Sequence, residues 1–231
     1  MRLTESSFFQ ANLRLNQLMQ SWVVEAAQGG RDLLEIYCGN GNFTLPASSR
    51  FQRVLATEID KNSLQGAEAC AKAAQLQSIS FRKCRAETMD FDELSGGYDF
   101  STLLVDPPRA GLDAAARDMS SRFDHVLYVS CNAQTLARDL LLMKSHEVQK
   151  ACLFDQFPWT DHSEVALWLT KGRAGYPKTV ESLLSGFSAG PTRCVRRSRP
   201  RPRSWVSLWP KRRWPGGKTA QARHSFKPQV T

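Results

Sequence analysis

The sequence predicts an α/β protein with a doubly wound, mostly parallel, Rossmann-like sheet, and three observations indicate this fold. Seven short apolar runs recur between residues 32 and 170. Stretches with the apolar spacing of helices separate most of these runs, as in parallel sheets that are covered on both faces. The last two runs are joined only by QFPWTDHS, too short for a crossover helix, so the final strand is expected to run antiparallel to its neighbour.

Helices and strands are predicted to alternate along most of the chain. A helix over FFQANLRLNQLMQSWVVEAA, residues 8–27, precedes the first strand. The predicted strands are Asp32–Cys38, Arg53–Ile59, Ile79–Cys84, Ser101–Asp106, His125–Ser130, Lys150–Asp155 and Glu164–Thr170. Helices are predicted after the second, fourth and fifth strands, over residues 62–76, 113–123 and 133–145.

Charge divides the chain into a domain, residues 1–171, and a tail, residues 172–231. The net charge is +9, yet the tail holds 14 Lys and Arg against one acidic residue, whereas the domain holds 17 basic and 21 acidic residues. Because the tail is rich in Arg, Pro and Trp and has little periodicity, it is predicted to be largely disordered. It is either a solvated tail without a dedicated role or an RNA-contacting arm, with Arg on phosphates and Trp stacked on bases.

Two classes of protein are disfavoured by composition. No apolar run approaches the length of a membrane span, and the N-terminus lacks the apolar stretch of a signal peptide. The six cysteines form no C-x-x-C pair and have no His at zinc-ligand spacing, so neither a metal site nor a disulfide framework is expected. Reduced thiols in a cytoplasmic compartment are therefore predicted, although an organelle or the nucleus is compatible with the sequence.

A glycine-containing loop, YCGNGNF, ends the first predicted strand. Gly39 and Gly41 permit a tight turn close to a ligand, and Glu58, about 20 residues further on, is spaced to accept hydrogen bonds from ribose hydroxyls. Thr44 replaces the third glycine of a dinucleotide fingerprint, which disfavours a cofactor with a pyrophosphate. The loop suits S-adenosylmethionine, which has no phosphate; an ordinary strand-to-helix turn is the alternative.

Two other strands carry reactive side chains to the same predicted edge. In DPPRAGLD, two prolines fix a rigid turn after Asp106 and hold this residue extended, although a capped surface turn is the alternative. In VSCN, Cys131 lies just before a helix N-terminus, where the helix dipole favours a thiolate. Cys131 is therefore predicted to be a nucleophile, whereas buried packing better explains Cys70, Cys84 and Cys152.

Together these motifs resemble the S-adenosylmethionine-dependent RNA 5-methyluridine methyltransferases. The resemblance runs from about Phe8 to Lys171, through FFQANLRLNQ, LLEIYCGNGNF, VLATEI, VDPPRAGLD, YVSCNAQTL and LFDQFPWTDHSEVALWLT. The phrases DQFPWTDHSE and YCGNGNF favour the tRNA branch, which modifies the T-loop uridine, over the ribosomal RNA enzymes. The resemblance implies a class I methyltransferase fold for the domain and RNA, above all tRNA, as its partner.

The resemblance also implies roles for seven residues. The expected contacts to S-adenosylmethionine are Gln10, Tyr37, Asn42, Glu58 and Asp106. Cys131 would attack C6 of uracil, which raises electron density at C5, and Glu164 would remove the C5 proton after methyl transfer. Without the resemblance, Glu164 is only the polar start of an edge strand; His162 is given no catalytic role.

The match also has departures, which leave alternatives open. Ala133 stands where the family usually has proline, and only a few residues precede Gln10, where full-length relatives carry a largely β region that helps to grip RNA. This predicts a catalytic domain alone, either from a truncated gene model or in a protein that depends on a partner. The alternatives are a catalytically silent domain that binds cofactor or RNA, a ribosomal RNA enzyme, and an amino-group or small-molecule methyltransferase. Cys131 and the non-aromatic Arg109 after the two prolines disfavour the last of these.

Overall fold

The computed structural model describes residues 12–155 and 163–172 in full and residues 192–196 as backbone. The helices are α1 (Leu13–Ala26), α2 (Thr44–Ala47), α3 (Lys61–Ala73), α4 (Phe91–Leu94), α5 (Ala114–Ser120) and α6 (Ala133–Leu142). The strands are β1 (Gly30–Ile36), β2 (Phe51–Glu58), β3 (Ile79–Lys83), β4 (Phe100–Val105), β5 (His125–Ser130), β6 (His146–Phe154), β7 (Glu164–Lys171) and β8 (Thr192–Arg196). Within these ranges, no helix is long and apolar enough to cross a membrane.

All eight strands belong to one sheet, in the order β3-β2-β1-β4-β5-β7-β6-β8. The first five strands pair in parallel, whereas β7 runs antiparallel to both β5 and β6. The predicted doubly wound sheet and the antiparallel strand at Glu164–Thr170 are therefore confirmed. Because the chain proceeds outward from β1 to β3 and then returns to place β4 on the other side of β1, the strand order reverses between β1 and β4. Sheets of this kind bind ligands in the crevice at that reversal.

The predicted and observed boundaries of two elements, β6 and α3, differ by several residues. β6 begins at His146 rather than at Lys150, because its first residues are only half-buried but already pair with β7, from His146 opposite Lys171. α3 ends at Ala73 rather than at residue 76, since Gln75 has a φ of 57°, in the left-handed region that does not continue a helix. The predicted start of the first helix, residues 8–11, lies outside the described residues.

Five residues of the tail contribute to the sheet, although the tail was predicted to be largely disordered. Thr192–Arg196 pair antiparallel with β6 and form its edge neighbour, β8. A five-residue strand within a tail of little periodicity gives only a weak side-chain pattern, which explains why the sequence did not reveal it. The rest of the tail lies outside the described residues.

One cysteine in the sheet differs from the expectation of reduced thiols throughout. Cys152 of β6 is disulfide-bonded, and the residue opposite it in β8 is Cys194. The free cysteines in the described part of the chain are Cys38, Cys70, Cys84 and Cys131.

Apolar side chains cover both faces of the sheet and hold its strands in place. On one face, α1 packs Met19 and Val23 against Leu33, Leu104 and Trp168, all of which are buried. The second face buries another cluster, which includes Leu34, Leu103, Phe123, Val126 and Tyr128. Successive residues of a strand point to opposite faces, so these two cores fix the central strands from both sides and position their carboxyl ends.

Candidate active site at the carboxyl ends of the strands

A cavity of about 340 Å³ opens at the carboxyl ends of β1 to β4, next to the reversal of strand order. Its lining consists of Tyr37, Glu58, Ile59, Cys84, Arg85, Ala86, Glu87, Asp106 and Pro108. The structure therefore brings together three of the predicted cofactor contacts, Tyr37, Glu58 and Asp106.

Glu58 is held in one orientation by the backbone around it. Its carboxylate accepts hydrogen bonds from the N–H groups of Gly39 at 2.9 Å, Ile59 at 2.7 Å and Asp60 at 2.8 Å. Gly39 and Gly41 have φ values of 53° and 82°, so the loop after β1 adopts a turn that favours glycine and directs the N–H of Gly39 at Glu58. A carboxylate fixed in this way is a rigid acceptor for the hydroxyl groups of a ligand.

Tyr37 occupies a backbone conformation that is unusual for a residue with a side chain. Its φ is 62°, which costs of the order of 1–3 kcal/mol and persists only when the surroundings enforce it. Its hydroxyl donates to Asp113 at 2.9 Å, and Asp113 also caps α5 by accepting from the N–H of Ala116 at 2.9 Å. Burial, followed by the bond to Asp113, raises the pKa of Tyr37, so the phenol stays protonated in the cavity wall.

Asn42 and Gln10, the other two predicted cofactor contacts, are not among the lining residues. The amide of Asn42 faces α1: its oxygen accepts from Asn16 at 2.8 Å and from Gln20 at 2.9 Å, and its nitrogen donates to Asn16 at 3.0 Å. Gln20 also donates to the backbone oxygen of Asn42 at 2.9 Å. Asn42 thus ties the glycine loop to α1, and its contact to a cofactor stays a prediction. Gln10 lies outside the described residues.

The antiparallel pairing of β7 with β5 brings Glu164 next to Cys131, the predicted nucleophile. Ser130, the last residue of β5, lies opposite Val165 of β7, so Cys131 and Glu164, one step further on each strand, meet at the same edge of the sheet. Glu164 is only 9% exposed, and burial raises its pKa to about 7. Two residues that are remote in sequence are therefore neighbours, as their proposed shared chemistry requires.

Asp106 lies beside this pair and has a perturbed acidity. Burial, followed by the charge of Glu164, raises its pKa to about 8. Glu35 of β1, which sequence analysis did not single out, is also buried behind this edge. Burial raises the pKa of Glu35 to about 8, with the interaction with Thr44 opposing this shift and the charge of Asp106 adding to it. Carboxyl groups that are protonated near neutral pH can exchange protons with reacting groups.

The acidity of Cys131 differs from the sequence-based expectation. Its pKa is raised, chiefly by burial and then by Glu164 and Asp106, whereas Arg109 acts in the opposite direction. The side chain of Asn132 caps α6 by accepting from the N–H groups of Gln134 and Thr135. The pKa of Cys131 is thus raised, mainly by burial, and the expected stabilisation of a thiolate by the helix N-terminus stays a prediction.

Sequence analysis missed several lining residues, which come directly after β2 and β3. Ile59 is the residue after Glu58, and Cys84, Arg85 and Glu87 lie just beyond the end of β3. Cys84 was interpreted as a packing cysteine, yet it is half-buried and lines the cavity. The position of these residues at the carboxyl end of a parallel strand was the signal that could have identified them.

The lining fits a cofactor such as S-adenosylmethionine in its chemistry. Glu58 offers a fixed acceptor for hydroxyl groups, Asp106 offers a carboxyl group to a cation, and Ile59 is an exposed apolar side chain for a flat ring. In the described part of the chain, no group of three or more His, Cys, Asp and Glu could hold a metal ion.

The chain is similar to known RNA-modifying enzymes. Residues 1–172 match the family model described as tRNA (Uracil-5-)-methyltransferase. A tRNA/tmRNA (uracil-C(5))-methyltransferase of Saccharophagus degradans is 45% identical over 183 residues, which is 72% of this chain and 50% of that protein. The chain thus spans about half the length of the curated relatives it matches.

Solved structures agree with this assignment. The Pyrococcus abyssi tRNA (uracil-54, C5)-methyltransferase in complex with S-adenosyl-L-homocysteine is 26% identical, with a TM-score of 0.64 over 71% of this chain and 40% of that one. Precorrin-6y C5,15-methyltransferase from Geobacter metallireducens shares the fold, with a TM-score of 0.57 at 12% identity over 74% of this chain and 93% of that one. The sheet order, the site at its edge and the match over residues 1–172 lead to one conclusion: the chain has a class I methyltransferase fold and belongs to the tRNA (uracil-5-)-methyltransferase family.

Proposed function

We propose that this chain transfers a methyl group from S-adenosylmethionine to C5 of a uridine in RNA, with tRNA as the favoured substrate, through a covalent bond from Cys131 to C6. The observation that carries the proposal is the meeting of Cys131 and Glu164 at one sheet edge, beside Asp106 and the cavity. The name of the Saccharophagus relative, which specifies uracil-C(5) and tRNA/tmRNA, supports the choice of base and substrate.

The cavity would hold the cofactor through side chains that are already oriented. Glu58 would accept hydrogen bonds from the ribose, and Tyr37 and Asp106 would complete the wall, with Gln10 and Asn42 as further predicted contacts. Bound S-adenosylmethionine supplies an electrophilic methyl group on a positively charged sulfur. Because burial and Glu164 disfavour the anionic form of Asp106, a neighbouring cation would stabilise that carboxylate strongly.

Cys131 would begin the reaction as a thiolate. Its sulfur forms a bond to C6 of uracil, and the electron pair of the C5–C6 double bond moves towards C5 and O4 to give an enolate. Arg109 is the positive group whose charge favours the thiolate, whereas Glu164 and Asp106 oppose it while they are ionised. C5 would then form a bond to the methyl carbon of S-adenosylmethionine, whose methyl–sulfur bond would break with the electron pair passing to sulfur, so that S-adenosylhomocysteine would leave.

Glu164 would complete the reaction as a base. It removes the proton from the methylated C5, the double bond to C6 re-forms, and the bond between C6 and sulfur breaks to release the thiolate. A pKa of about 7 suits this task, since general bases act best when their pKa lies near the working pH. The target base must leave its stack to reach this edge, at a cost of a few kcal/mol.

The test uses the full chain with an unmodified tRNA transcript and methyl-labelled S-adenosylmethionine, followed by nucleoside analysis. We expect labelled 5-methyluridine, and we expect none from Cys131→Ala. Cys70→Ala is the matched control, because Cys70 is a half-buried free cysteine on α3, and this variant should retain the activity. A transcript that carries 5-fluorouridine should form a Cys131-linked adduct, stable on a denaturing gel, because fluorine cannot leave as a proton does.

Two results would contradict the mechanism: 5-methyluridine from the Cys131→Ala protein, or an active preparation that gives no adduct at Cys131. A second candidate function is binding of cofactor or RNA without turnover, which the raised pKa of Cys131 favours because it disfavours the thiolate that the reaction needs. Calorimetric binding of S-adenosylmethionine together with absence of both product and adduct would support that second candidate.

A further inference from the structure

The helix after the nucleophile is bonded to the loop that carries Asp106 and Arg109. The backbone oxygen of Arg109 accepts from the side-chain nitrogen of Asn132 at 3.0 Å and from the hydroxyl of Thr135 at 3.2 Å. Asn132 immediately follows Cys131, and Thr135 lies in the first turn of α6. The two segments that bring Cys131 and Arg109 together are therefore joined directly.

Asp139, one turn after Thr135 in α6, also bonds α6 to this loop. It is fully buried, and its carboxylate accepts from the N–H of Leu112 at 2.8 Å and from the hydroxyl of Tyr128 at 2.8 Å. It also accepts from the guanidinium groups of Arg138 at 2.7 Å and Arg117 at 3.3 Å. One carboxylate thus links α6 to β5, α5 and the loop.

The two arginines held by Asp139 bind the loop in turn. Arg138 donates to the backbone oxygens of Ala110 at 2.9 Å and Leu112 at 3.2 Å, and Arg117 also donates to the oxygen of Leu112. With the bonds to Arg109, the carbonyl groups of residues 109, 110 and 112 all have partners. The loop is fixed by backbone bonds, which restrict its position but not its side-chain chemistry.

At Gly111 the backbone of this loop packs closely against Asp139. Its φ is 78°, and a Cβ atom added there would lie 2.6 Å from a carboxylate oxygen of Asp139 and 2.7 Å from Arg138. Such distances are far below van der Waals contact, so only glycine allows the loop to approach the carboxylate.

We propose that Asp139 is a positioning residue, which holds the loop of residues 109–112 against α6 and thereby keeps Arg109 beside the Cys131 thiol. Three charged groups act on this thiol: Glu164 from β7, and Asp106 and Arg109 from the loop after β4. Arg109 is the one that favours the thiolate, and the Asp139 network fixes the backbone of Arg109. The role given to Cys131 rests on the proposed function, but the placement of Arg109 does not.

The inference predicts a defined change in thiol chemistry. Asp139→Asn leaves Arg117 and Arg138 without their buried anion, so the loop loosens and Arg109 spends time further from Cys131. The pKa of Cys131 then rises, and one unit of rise lowers the thiolate fraction about tenfold at a pH below the pKa. We expect alkylation of Cys131 at pH 7 to slow by about three- to tenfold, with the whole pH profile moved to higher pH.

The experiment measures the rate at which iodoacetamide alkylates Cys131 in the full chain between pH 6 and pH 10, by mass spectrometry of the peptide that contains it. Asp32→Asn is the matched control: Asp32 is also buried and paired with an arginine, Arg53, and it accepts from the N–H of Asp99 at 2.8 Å. Asp32 lies near the amino end of β1, whereas Cys131 and the loop of residues 109–112 lie at the carboxyl ends of their strands, so its loss should affect folding stability but leave the Cys131 profile unchanged.

A double variant distinguishes a specific effect of Asp139 on the position of Arg109 from a general loosening of the fold. Arg109→Gln should slow the alkylation by itself, and adding Asp139→Asn to it should cause no further change, because both act through the same guanidinium. Equal shifts in Asp139→Asn and Asp32→Asn, no shift in Asp139→Asn, or fully additive effects with Arg109→Gln would each overturn the proposal.

Thr135→Val covers the case in which Asp139→Asn does not fold. It removes the hydroxyl that lies 3.2 Å from the backbone oxygens of both Arg109 and Asn132, and we expect a smaller shift in the same direction; an unchanged profile would overturn the proposal. Because alkylation needs neither RNA nor cofactor, the expected shifts in a chain without methyltransferase activity would refute the proposed function and leave the positioning role standing.

Discussion

The carboxyl groups at the two ends of the candidate active site have different surroundings. At the end formed by β1 to β3, which we propose binds the cofactor and call the cofactor end, Glu58 accepts from three backbone N–H groups and is presented as a fixed acceptor. At the end formed by β4, β5 and β7, which we propose holds the nucleophile and call the nucleophile end, burial raises the pKa of Asp106 to about 8 and that of Glu164 to about 7. The first arrangement suits binding, and the second suits groups that gain and lose protons during a reaction.

This difference has a simple physical origin. Backbone N–H groups that point at a carboxylate fix its orientation, which suits a group that accepts hydrogen bonds from a ligand. A proton acceptor must change its charge, and burial brings the pKa of a carboxyl group close to neutral pH, where transfer in either direction is possible. Variants of the two halves, from the largest expected effect to the smallest, test this division of the edge.

Glu164→Gln should have the largest effect, a loss of turnover without a loss of cofactor affinity. The amide cannot accept the C5 proton, so methyl transfer can proceed but release cannot, and turnover should fall by about 10²–10⁴-fold. A methylated adduct at Cys131 should accumulate on a denaturing gel, while calorimetric affinity for S-adenosylmethionine stays near that of the wild type. Glu68→Gln, on an exposed position of α3, is the control. Normal turnover in the Glu164 variant would remove this residue from the mechanism.

Glu58→Ala should act on the cofactor end alone. Loss of a charged acceptor for the ribose should weaken binding of S-adenosylmethionine by about 1.5–3 kcal/mol in calorimetry. The alkylation rate of Cys131 should not change, since Glu58 belongs to the other half of the edge. Glu25→Ala, at an exposed position of α1, provides the comparison. Unchanged affinity would mean that Glu58 does not contact the cofactor.

Asp106→Asn tests whether the pKa of Asp106 is raised, through the pH dependence of the unfolding free energy. Unfolded Asp titrates near pH 4, whereas the folded pKa of Asp106 is about 8, so the folded state holds this proton more tightly. The stability contributed by that proton is present below pH 4 and is lost as the pH rises through about 8. The asparagine variant should therefore lose less unfolding free energy than the wild type between pH 5 and pH 8, by the order of 1–3 kcal/mol after allowance for partial exposure.

Chemical denaturation at a series of pH values measures this difference. Asp118→Asn, an exposed change on α5, should keep the wild-type dependence on pH. If Asp106→Asn also keeps it, the acidity of Asp106 is not raised in the folded protein.

Gln20→Ala should have the smallest effect, on the rigidity of the cofactor end. It removes two hydrogen bonds from α1 to Asn42 and should reduce the unfolding free energy by about 1–2 kcal/mol. In thermal denaturation this corresponds to a fall in Tm of about 2–8 °C, with the alkylation rate of Cys131 unchanged. Gln17→Ala, an exposed neighbour, should change Tm little, and equal Tm values for the two variants would show that the link to Asn42 adds no stability.

Much of this edge was predictable because parallel strands end on one side of a sheet. The apolar runs predicted β1 to β5 and β7 closely, and Glu58, Asp106 and Cys131 were identified by their positions at the ends of predicted strands. β8 escaped prediction because its five residues lie in a tail with little apolar periodicity. The cavity residues after β3 escaped because CRAET contains no recognised motif, although its place in the fold is the same.

The sequence by itself determined the fold class, the antiparallel strand and the side chains available for chemistry, since these depend on local periodicity and on residue type. Only the tertiary structure decided how those side chains behave. The pKa of Cys131 depends on carboxyl groups from two other segments, and Asn42 is bonded to a helix rather than directed at the cavity. Electrostatic fields and hydrogen bonds act through space between residues far apart in the chain, so their balance is set when the strands pair and the loops are fixed against one another.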